Sequence, residues 1–435
     1  MEVLRMKICN AKDIKTVAGT MAAVLLLGGC SVTTENNVKS DPDVKTEIDL
    51  EDVDKTTYDS EVMDELYRKY CFDIFSQTIR DYGSDSNVMI SPASIMMALD
   101  MVSAGAKNDS LKQLTDLFAA GQEPLTQQAY AAALMDRING AKGVEFSCAN
   151  AVWSNKTILG DKVNLDYIEY IQDTFSAEYN LSKFSGKTTG EINRWVDEHT
   201  DHMIEEVIES LDSDTVMVLV NAIAFDAKWS EPYEEYQVRE ADFTRFDGST
   251  QKADFLYGTE NTYYETDKAT GFIKYYKGGQ YAFLTILPAD ESVSANEFAK
   301  SFSAEDYEKF IRSAAYDYEV ITEMPVFESE FNCMMNDTLI NLGVKDVFDP
   351  GSADLSGISG NPGDIYVSKV IHKTFIRVDA NGTKAAAVTA VTLDAGCAMP
   401  EEKEYRYVEC DRPFVYAIVD VETMAPVFIG TVNEV

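Results

Sequence analysis

Apolar side chains recur at three- and four-residue spacing between Glu61 and Arg80, which predicts an amphipathic first helix. A second helix is expected to begin at Ser91-Pro92, because serine can cap a helix and proline fits its first turn. The same periodicity predicts further helices in residues 164–179, 192–211 and 304–313.

Strand-like apolar runs are concentrated in the second half of the chain. They cover residues 216–225, 281–287, 365–370, 414–419 and 427–432. No repeat of roughly 20 to 50 residues and no Pro/Gly-rich linker interrupts this body. One large α+β domain is therefore the simplest organisation.

Residues 382–395 alternate with a period of two, which predicts a strand. If Thr383 points inward, every second residue is small or apolar, and the two charges, Lys384 and Asp394, point outward. The segment follows an Asn-Gly turn signal and leads into the polar residues 400–404. We expect an exposed loop that is able to join a sheet as a strand.

Near the N-terminus, basic residues precede the apolar run Met21–Leu27, a pattern typical of a signal peptide spanning residues 1–29. The run is too short to span a bilayer as a mature helix. It ends in Leu-Gly-Gly-Cys, which resembles a bacterial lipoprotein box and predicts cleavage before Cys30 and lipid on its sulfur. The alternative is an ordinary signal with a chance cysteine. Residues 30–59 would then be the lipidated cysteine and a flexible acidic tether, and residues 60–435 the working body.

The 435 residues carry a net charge of −37. Residues 1–29 hold four basic and two acidic side chains, so the charge without them is −39. This balance argues against nucleic acid or an anionic membrane surface as a partner and favours attraction to cationic proteins.

Three histidines and seven cysteines supply the candidate chemistry. His199 and His202 lie three apart on a predicted helix, but no third ligand has suitable spacing for a metal, so a solvated charged face is preferred. His372 flanks a strand and is expected to be buried and hydrogen-bonded rather than a general base. The cysteines are too sparse for a disulfide scaffold and contain no CxxC pair. No GxSxG, HExxH, P-loop or GxGxxG motif occurs, so nothing indicates an enzyme, a metal or a cofactor.

Motifs along the whole body resemble those of the serpin family and follow the same order. They are Asn87–Pro92 with Ser94, Ala98, Leu99, Gly105 and Ala106; Ile192–Val196 with Thr200; Leu219–Phe225 with Trp229; Met324–Phe327; Leu342–Val344; Asp354–Ser356; Val370–Lys373; and Val408–Ile418. Each motif alone is weak, but the ordered set is specific.

The resemblance implies a serpin fold of three β-sheets and about nine helices, with a metastable native state and an exposed reactive-centre loop at about residues 380–405. In this family a protease attacks a bond in the loop, forms an acyl-enzyme, and is trapped when the cut loop inserts as a strand in the large sheet. The matching hinge residues are Gly382, Thr383, Lys384, Ala385, Ala386, Ala387, Val388 and Thr389. The residues matching the shutter, which holds that sheet closed, are Ser91, Asn221 and His372, and Trp229 matches the place where insertion begins.

The hinge carries no bulky, charged or proline residue on its inward face, which favours an inhibitor over a non-inhibitory member of the family. Lys384 replaces the glutamate common in the family. Because the alternation points Lys384 outward, we expect this change to have little effect.

The family's usual spacing from Gly382 places the attacked bond at Gly396–Cys397. Alternative bonds are Ala395–Gly396, Cys397–Ala398 and Met399–Pro400. No Lys or Arg lies between Lys384 and Lys403, so a trypsin-like pocket would find no cation, whereas small apolar residues suit an elastase-like pocket.

We therefore expect a monomeric suicide-substrate inhibitor of an elastase-like serine endopeptidase, without a cofactor. The alternatives are inhibition of papain-like cysteine proteases by the same trap, and a non-inhibitory binding protein on the cell surface. The lipid on Cys30 would hold the protein at the cell surface or extracellular face, and no nucleic acid is expected as a partner.

Overall fold

The computed structural model describes residues 39–40, 53, 56–160, 162–212, 214–383 and 404–435. Within these ranges the α-helices are α1 (Ser60–Tyr82), α2 (Pro92–Ser103), α3 (Asn108–Ala119), α4 (Pro124–Asn139), α5 (Lys156–Leu159), α6 (Leu165–Phe175), α7 (Gly186–His199), α8 (Ala295–Ser301), α9 (Ala304–Arg312) and α10 (Asn336–Asn341). The strands are β1 (Lys39–Ser40), β2 (Met89–Ile90), β3 (Val144–Asn155), β4 (Lys162–Val163), β5 (Glu178–Ser182), β6 (Met217–Lys228), β7 (Val238–Thr244), β8 (Thr250–Glu260), β9 (Tyr263–Glu265), β10 (Ala269–Tyr275), β11 (Tyr281–Pro288), β12 (Tyr318–Pro325), β13 (Phe327–Met334), β14 (Lys369–Asp379), β15 (Gly382–Thr383), β16 (Glu404–Glu409), β17 (Phe414–Asp420) and β18 (Pro426–Val432).

The described strands form three large sheets and one short pair, β1 with β4. Sheet A has the order β13-β14-β15-β6-β3-β5, sheet B the order β2-β18-β17-β11-β10-β9, and sheet C the order β16-β12-β8-β7. The α+β architecture that the sequence pattern predicts and the three sheets that the family resemblance implies are both confirmed. Ten α-helices lie in the described ranges, against about nine expected.

Local capping explains where the first two helices begin. The side chain of Asp59 accepts hydrogen bonds from the first turn of α1. Ser91 caps α2 by accepting from the Ser94 N–H at 3.2 Å, and Pro92 occupies the first turn, where no amide donor is needed. The predicted start of this helix at Ser91-Pro92 is confirmed.

Three predicted elements have the wrong limits. The helix predicted over residues 164–179 ends at Phe175, because Ser176 takes a left-handed backbone angle (φ 50°) and residues 178–182 form β5. The helix predicted over residues 192–211 begins earlier and ends at His199, because Asp201 and His202 take left-handed backbone angles (φ 51° and 57°) that break it. The apolar side chains that follow still pack on sheet A as an irregular segment. The strand predicted over residues 365–370 begins only at Lys369. Ile365 and Val367 are buried as the pattern indicates, but they lie in the loop before the strand and do not pair with a neighbouring strand.

Two apolar clusters flank sheet A. The larger one lies on the inner face of the sheet, toward sheet B and α1 to α4. The smaller one lies on the outer face, beneath α7 and the segment that follows it, where Ile192 and Val196 pack against Val218 and Val220 of β6. Side chains alternate along each strand, so even-numbered residues of β6 face α7 and odd-numbered residues face the main core.

The predicted tether contacts the body at its described residues. β1, within the tether, pairs in parallel with β4. Val53 is buried at 2 % exposure among the main-core residues. Flexibility predicted for all of residues 30–59 therefore does not extend to these positions. None of the helices in the described ranges combines the length and the apolar character needed to cross a bilayer.

Candidate functional site

The centre of sheet A contains a seam between two parallel strands. Residues 369–375 of β14 pair directly with residues 218–224 of β6. Beyond these pairs the two strands separate, and β15 lies between them. Thr383 pairs antiparallel with Val378 on one side and with Ala227 on the other. The seam is therefore closed by a parallel ladder along most of its length and opened by a two-residue strand at one end.

The side chain of Thr383 points into the protein, as the alternation in the sequence predicts. Thr383 is fully buried, and its Oγ1 lies 2.7 Å from the Tyr276 hydroxyl. Burial raises the pKa of Tyr276 far above its usual range, so this phenol stays protonated and available as a donor. The first inward residue of the candidate hinge is thus already held in the sheet.

Trp229 fixes the turn that leads into β15. Its ring stacks on Tyr276 with centroids 4.6 Å apart, and its Nε1–H donates to the carbonyl of Asp379 at 2.8 Å. Its backbone N–H donates to the carbonyl of Asn381 at 2.9 Å. Trp229, which by resemblance to the family matches the place where insertion begins, therefore lies directly beside the described part of the hinge.

Gly382 is required by close backbone contact. A Cβ at this position would lie 2.0 Å from the carbonyl oxygen of Ala227 and 2.6 Å from the Cα of Lys228. Its φ of 155° is also unfavourable for a residue with a side chain. Glycine therefore allows the chain to enter between β14 and β6.

Ser91, Asn221 and His372 come together at the middle of the seam. Nδ1–H of His372 donates to Asn221 Oδ1 at 2.8 Å, and Nε2 accepts from the Ser91 N–H at 3.1 Å. The hydroxyl of Ser91 donates to the carbonyl of Val427 at 2.7 Å, which ties the group to sheet B. Asn221 and His372 are direct partners in the parallel ladder, so their hydrogen bond crosses the seam.

His372 is neutral in this arrangement. Asn221 Oδ1 can only accept and the Ser91 N–H can only donate, so the ring must carry its proton on Nδ1. Complete burial lowers the pKa of His372 to about 3. The prediction of a buried, hydrogen-bonded histidine is confirmed.

Three participants were missed in the sequence. Asn221 donates from Nδ2 to the carbonyl of Ser94 and to Asn150 Oδ1, at 2.9 and 2.8 Å. The Tyr276 hydroxyl contacts Thr383, although the two residues are 107 positions apart in the sequence. Of these three residues, only Ser94 could have been found from the sequence, because it belongs to the motif at the start of α2. The contacts of Asn150 and Tyr276 depend on strand register.

Other candidate groups make local contacts. Nδ1–H of His199 donates to the carbonyl of Trp195, and Nδ1–H of His202 donates to Asp197, beyond the end of α7. Across the described ranges, no group of three His, Cys, Asp or Glu side chains is placed to hold a metal ion. The four described cysteines are Cys71, Cys148, Cys333 and Cys410, and burial raises the pKa of each thiol. These thiols are poor nucleophiles.

The remaining site predictions lie outside the described residues. They are Lys384, Ala385, Ala386, Ala387, Val388 and Thr389 of the hinge, the attacked-bond candidates Ala395, Gly396, Cys397, Ala398 and Met399, and the lipidation candidate Cys30.

Comparisons with known proteins agree with this geometry. The profile of the family described as serpin (serine protease inhibitor) matches residues 65–435. The solved native-state structure of tengpin, a thermophilic serpin, has a TM-score of 0.78 and 33% identity, covering 92% of this chain and 99% of that one. A serpin-like protein of Methanosarcina mazei is 29% identical over 84% of this chain and 85% of its own. The human leukocyte elastase inhibitor is 29% identical over 83% of this chain and 96% of its own.

Proposed function

Because this chain belongs to the serpin family of protease inhibitors, we propose that it is a suicide-substrate inhibitor of an elastase-like serine endopeptidase. The protease hydroxyl attacks the carbonyl carbon of Gly396, the Gly396–Cys397 amide bond breaks, and an acyl-enzyme ester forms. The hydroxyl proton passes to the departing nitrogen, so that Cys397 becomes the N-terminal amine of the released peptide. Insertion of the cut loop into sheet A then traps that ester before water reaches it. The observation that carries this proposal is β15, which has begun the required strand between β14 and β6.

The described register indicates what each further residue of the loop would meet. Since Thr383 pairs with Val378 and Ala227, an uninterrupted ladder would bring Thr389 opposite both His372 and Asn221. Insertion must therefore replace the His372–Asn221 hydrogen bond that closes the seam. The hydroxyl of Thr389 can both donate and accept, so it suits that position.

Insertion of the loop would supply free energy that can be used to distort the trapped protease. The parallel seam would be exchanged for two antiparallel ladders, and antiparallel pairing is slightly more stable per residue. Inserting about a dozen residues gains on the order of 10 kcal/mol at about 1 kcal/mol per net hydrogen bond. Small side chains at Ala385 and Ala387 would meet little steric resistance on the inner face.

The choice of an elastase-like target is supported by the loop sequence. No Lys or Arg lies between Lys384 and Lys403, and the residues near position 396 are small. A relative, the leukocyte elastase inhibitor, carries that activity in its name. Papain-like cysteine proteases remain the second candidate because they attack the same kind of peptide bond. A non-inhibitory binding role is disfavoured by the small, buried hinge residue Thr383.

The proposal is tested by mixing the full chain with an elastase-type protease, since Val53 packs in the main core and Asp59 caps α1. We expect a covalent band that survives denaturant on a gel, and mass spectrometry of the released C-terminal peptide should give a new N-terminus at Cys397. A new N-terminus at a neighbouring residue would correct the register only. Complete cleavage without a covalent band, repeated with a papain-type protease, would refute the inhibitory function.

We also propose that the full chain is anchored by lipid at Cys30 to the outer face of a cell. The Leu-Gly-Gly-Cys sequence after the apolar run supports this location. In bacteria that express the full chain, a labelled fatty acid should be incorporated into the protein and lost in a Cys30→Ser variant. Equal labelling of the two proteins would contradict the anchor.

A further inference from the structure

Two exposed tyrosines mark the strand that follows the reactive loop. Tyr405 and Tyr407 of β16 are 55% and 61% exposed. They are two residues apart, so they project from the same face of the edge strand of sheet C. Single exposed aromatic side chains such as Tyr236 and Phe246 also occur on this protein, but Tyr405 and Tyr407 are adjacent on one face, and contiguous exposed aromatic area can mark an interaction site.

The neighbouring strand adds apolar and acidic side chains to this face. Residues of β12 pair with β16 in register, so that Glu319 lies beside Tyr405, Ile321 beside Tyr407, and Glu323 beside Glu409. The side chains of these β12 residues are half-buried, whereas Val320 and Thr322, between them, are buried on the other face. The exposed face therefore has an aromatic edge with carboxylates at both ends.

The carboxylates on this face crowd one another. Burial raises the pKa of Glu323, and the nearby charges of Asp411 and Glu409 raise it further, although the Tyr257 hydroxyl donates to it at 2.9 Å. Three cations lie nearby: Arg239 is stacked 5.2 Å above the Tyr257 ring, Arg406 lies 4.0 Å over the Tyr318 ring, and Arg412 acts on Asp411. A cationic partner would relieve this repulsion, whereas an anionic one would increase it.

The face lies within reach of any protease bound to the loop. Seven residues lie between Gly396 and Glu404, the first residue of β16, so the two Cα atoms are eight steps and at most about 28 Å apart. A serine protease of ordinary size is roughly 45 Å across. An enzyme bound at position 396 would therefore be able to contact this face. We call the face the tyrosine edge; it consists of Tyr405, Tyr407, Glu319, Ile321 and Glu409.

We infer that the tyrosine edge is a second recognition surface for a basic patch on the target protease, outside that enzyme's active site. This inference rests on the proposed inhibitory function and adds to it a determinant of which protease is chosen. The tyrosines supply aromatic surface that becomes buried when the protease binds. The carboxylates form ion pairs with its basic side chains and attract them at long range. The loop sequence determines whether a protease can cut the bond, and the tyrosine edge determines the rate at which a given protease associates with the inhibitor.

A double substitution, Tyr405→Ala with Tyr407→Ala, tests the inference. Against a cationic elastase, we expect the second-order rate constant of inhibition to fall about tenfold, because aromatic residues at the centre of interfaces contribute most to binding. The number of inhibitor molecules consumed per trapped protease should not change, since sheet A is untouched. Phe246→Ala is the matched control, since Phe246 is 54% exposed in the β7–β8 turn, roughly 30 Å along β8.

Glu319→Gln with Glu409→Gln tests the electrostatic part. This pair should flatten the dependence of the rate on ionic strength. Direct binding to the same protease, inactivated by replacing its catalytic serine with alanine, should weaken for both double variants. Unchanged rates and unchanged binding would overturn the inference while leaving the trap intact. A change in inhibitor consumption without a change in binding would also overturn it. Absence of a covalent band with the unmodified inhibitor would instead refute the proposed function.

Discussion

Replacing Thr383 with arginine is expected to convert the protein from an inhibitor into a substrate of its target protease. Thr383 is fully buried between β14 and β6, with only the Tyr276 hydroxyl near its polar atom. An unpaired charge at such a place costs about 3 kcal/mol or more. If the activation free energy of insertion rises by this amount, insertion slows by roughly 100-fold. Hydrolysis of the acyl-enzyme is then faster than insertion.

The measurement is the ratio of covalent complex to cleaved inhibitor on a denaturing gel. The arginine variant should give almost only cleaved inhibitor, and its melting temperature should rise less on loop cleavage than that of the unmodified protein. Thr383→Val keeps the shape and loses only the contact with Tyr276, so it should still trap the protease. Lys384→Ala, which changes an outward residue, should also trap. A full yield of complex from the arginine variant would show that insertion does not start here.

The second large effect concerns pH and the seam. The pKa of His372 is about 3 in the folded protein, against about 6.5 in an unfolded chain. The unfolded state therefore binds one more proton between these values, so the free energy of unfolding falls as pH decreases below 6.5. The expected loss is about 1.4 kcal/mol per pH unit, or roughly 3 kcal/mol at pH 4.5. Protonation would also put a hydrogen on Nε2 of His372, the atom that accepts from the Ser91 N–H. Two donors would then face each other, and this hydrogen bond beside the seam would be lost.

His372→Gln isolates this contribution. Glutamine can donate to Asn221 and accept from Ser91 but cannot take up a proton in this range. In urea unfolding from pH 7.5 to 4.5, the free energy of unfolding of the histidine protein should fall relative to that of the glutamine variant, by roughly 3 kcal/mol at pH 4.5. Asp100 has a raised pKa of about 7 through burial, so its contribution is present at low pH and lost as pH rises through 7. That opposite trend is common to both proteins and cancels in their difference. Parallel pH profiles would contradict the assignment.

The sequence predicted what depends on local pattern. The inward position of Thr383 followed from alternation, the start of α2 from Ser91-Pro92, and the burial of His372 from its strand context. It did not predict the roles of Tyr276 and Asn150, because their contacts depend on which strands are neighbours and in what register. Polar residues that are satisfied by partners across the sheet leave no periodic signal.

Two of the misplaced elements have the same origin. Apolar residues after His199 continue a helical spacing, but the backbone turns at Asp201 and His202, and burial is achieved without a helix. Ile365 and Val367 are buried in a loop rather than in a strand. Periodicity reports burial, and the backbone that produces the burial is decided by longer-range packing.

The position of β15 bears on how quickly the trap can act. Ordering the first residues of a ladder is the unfavourable nucleation event in any cooperative chain process, whereas later residues each add bonds to an existing edge. In this protein Thr383 is already bonded on both sides before any protease arrives. The reaction therefore begins at the propagation stage, and its speed is governed by how fast the parallel pairs of β6 and β14 unzip ahead of the advancing strand.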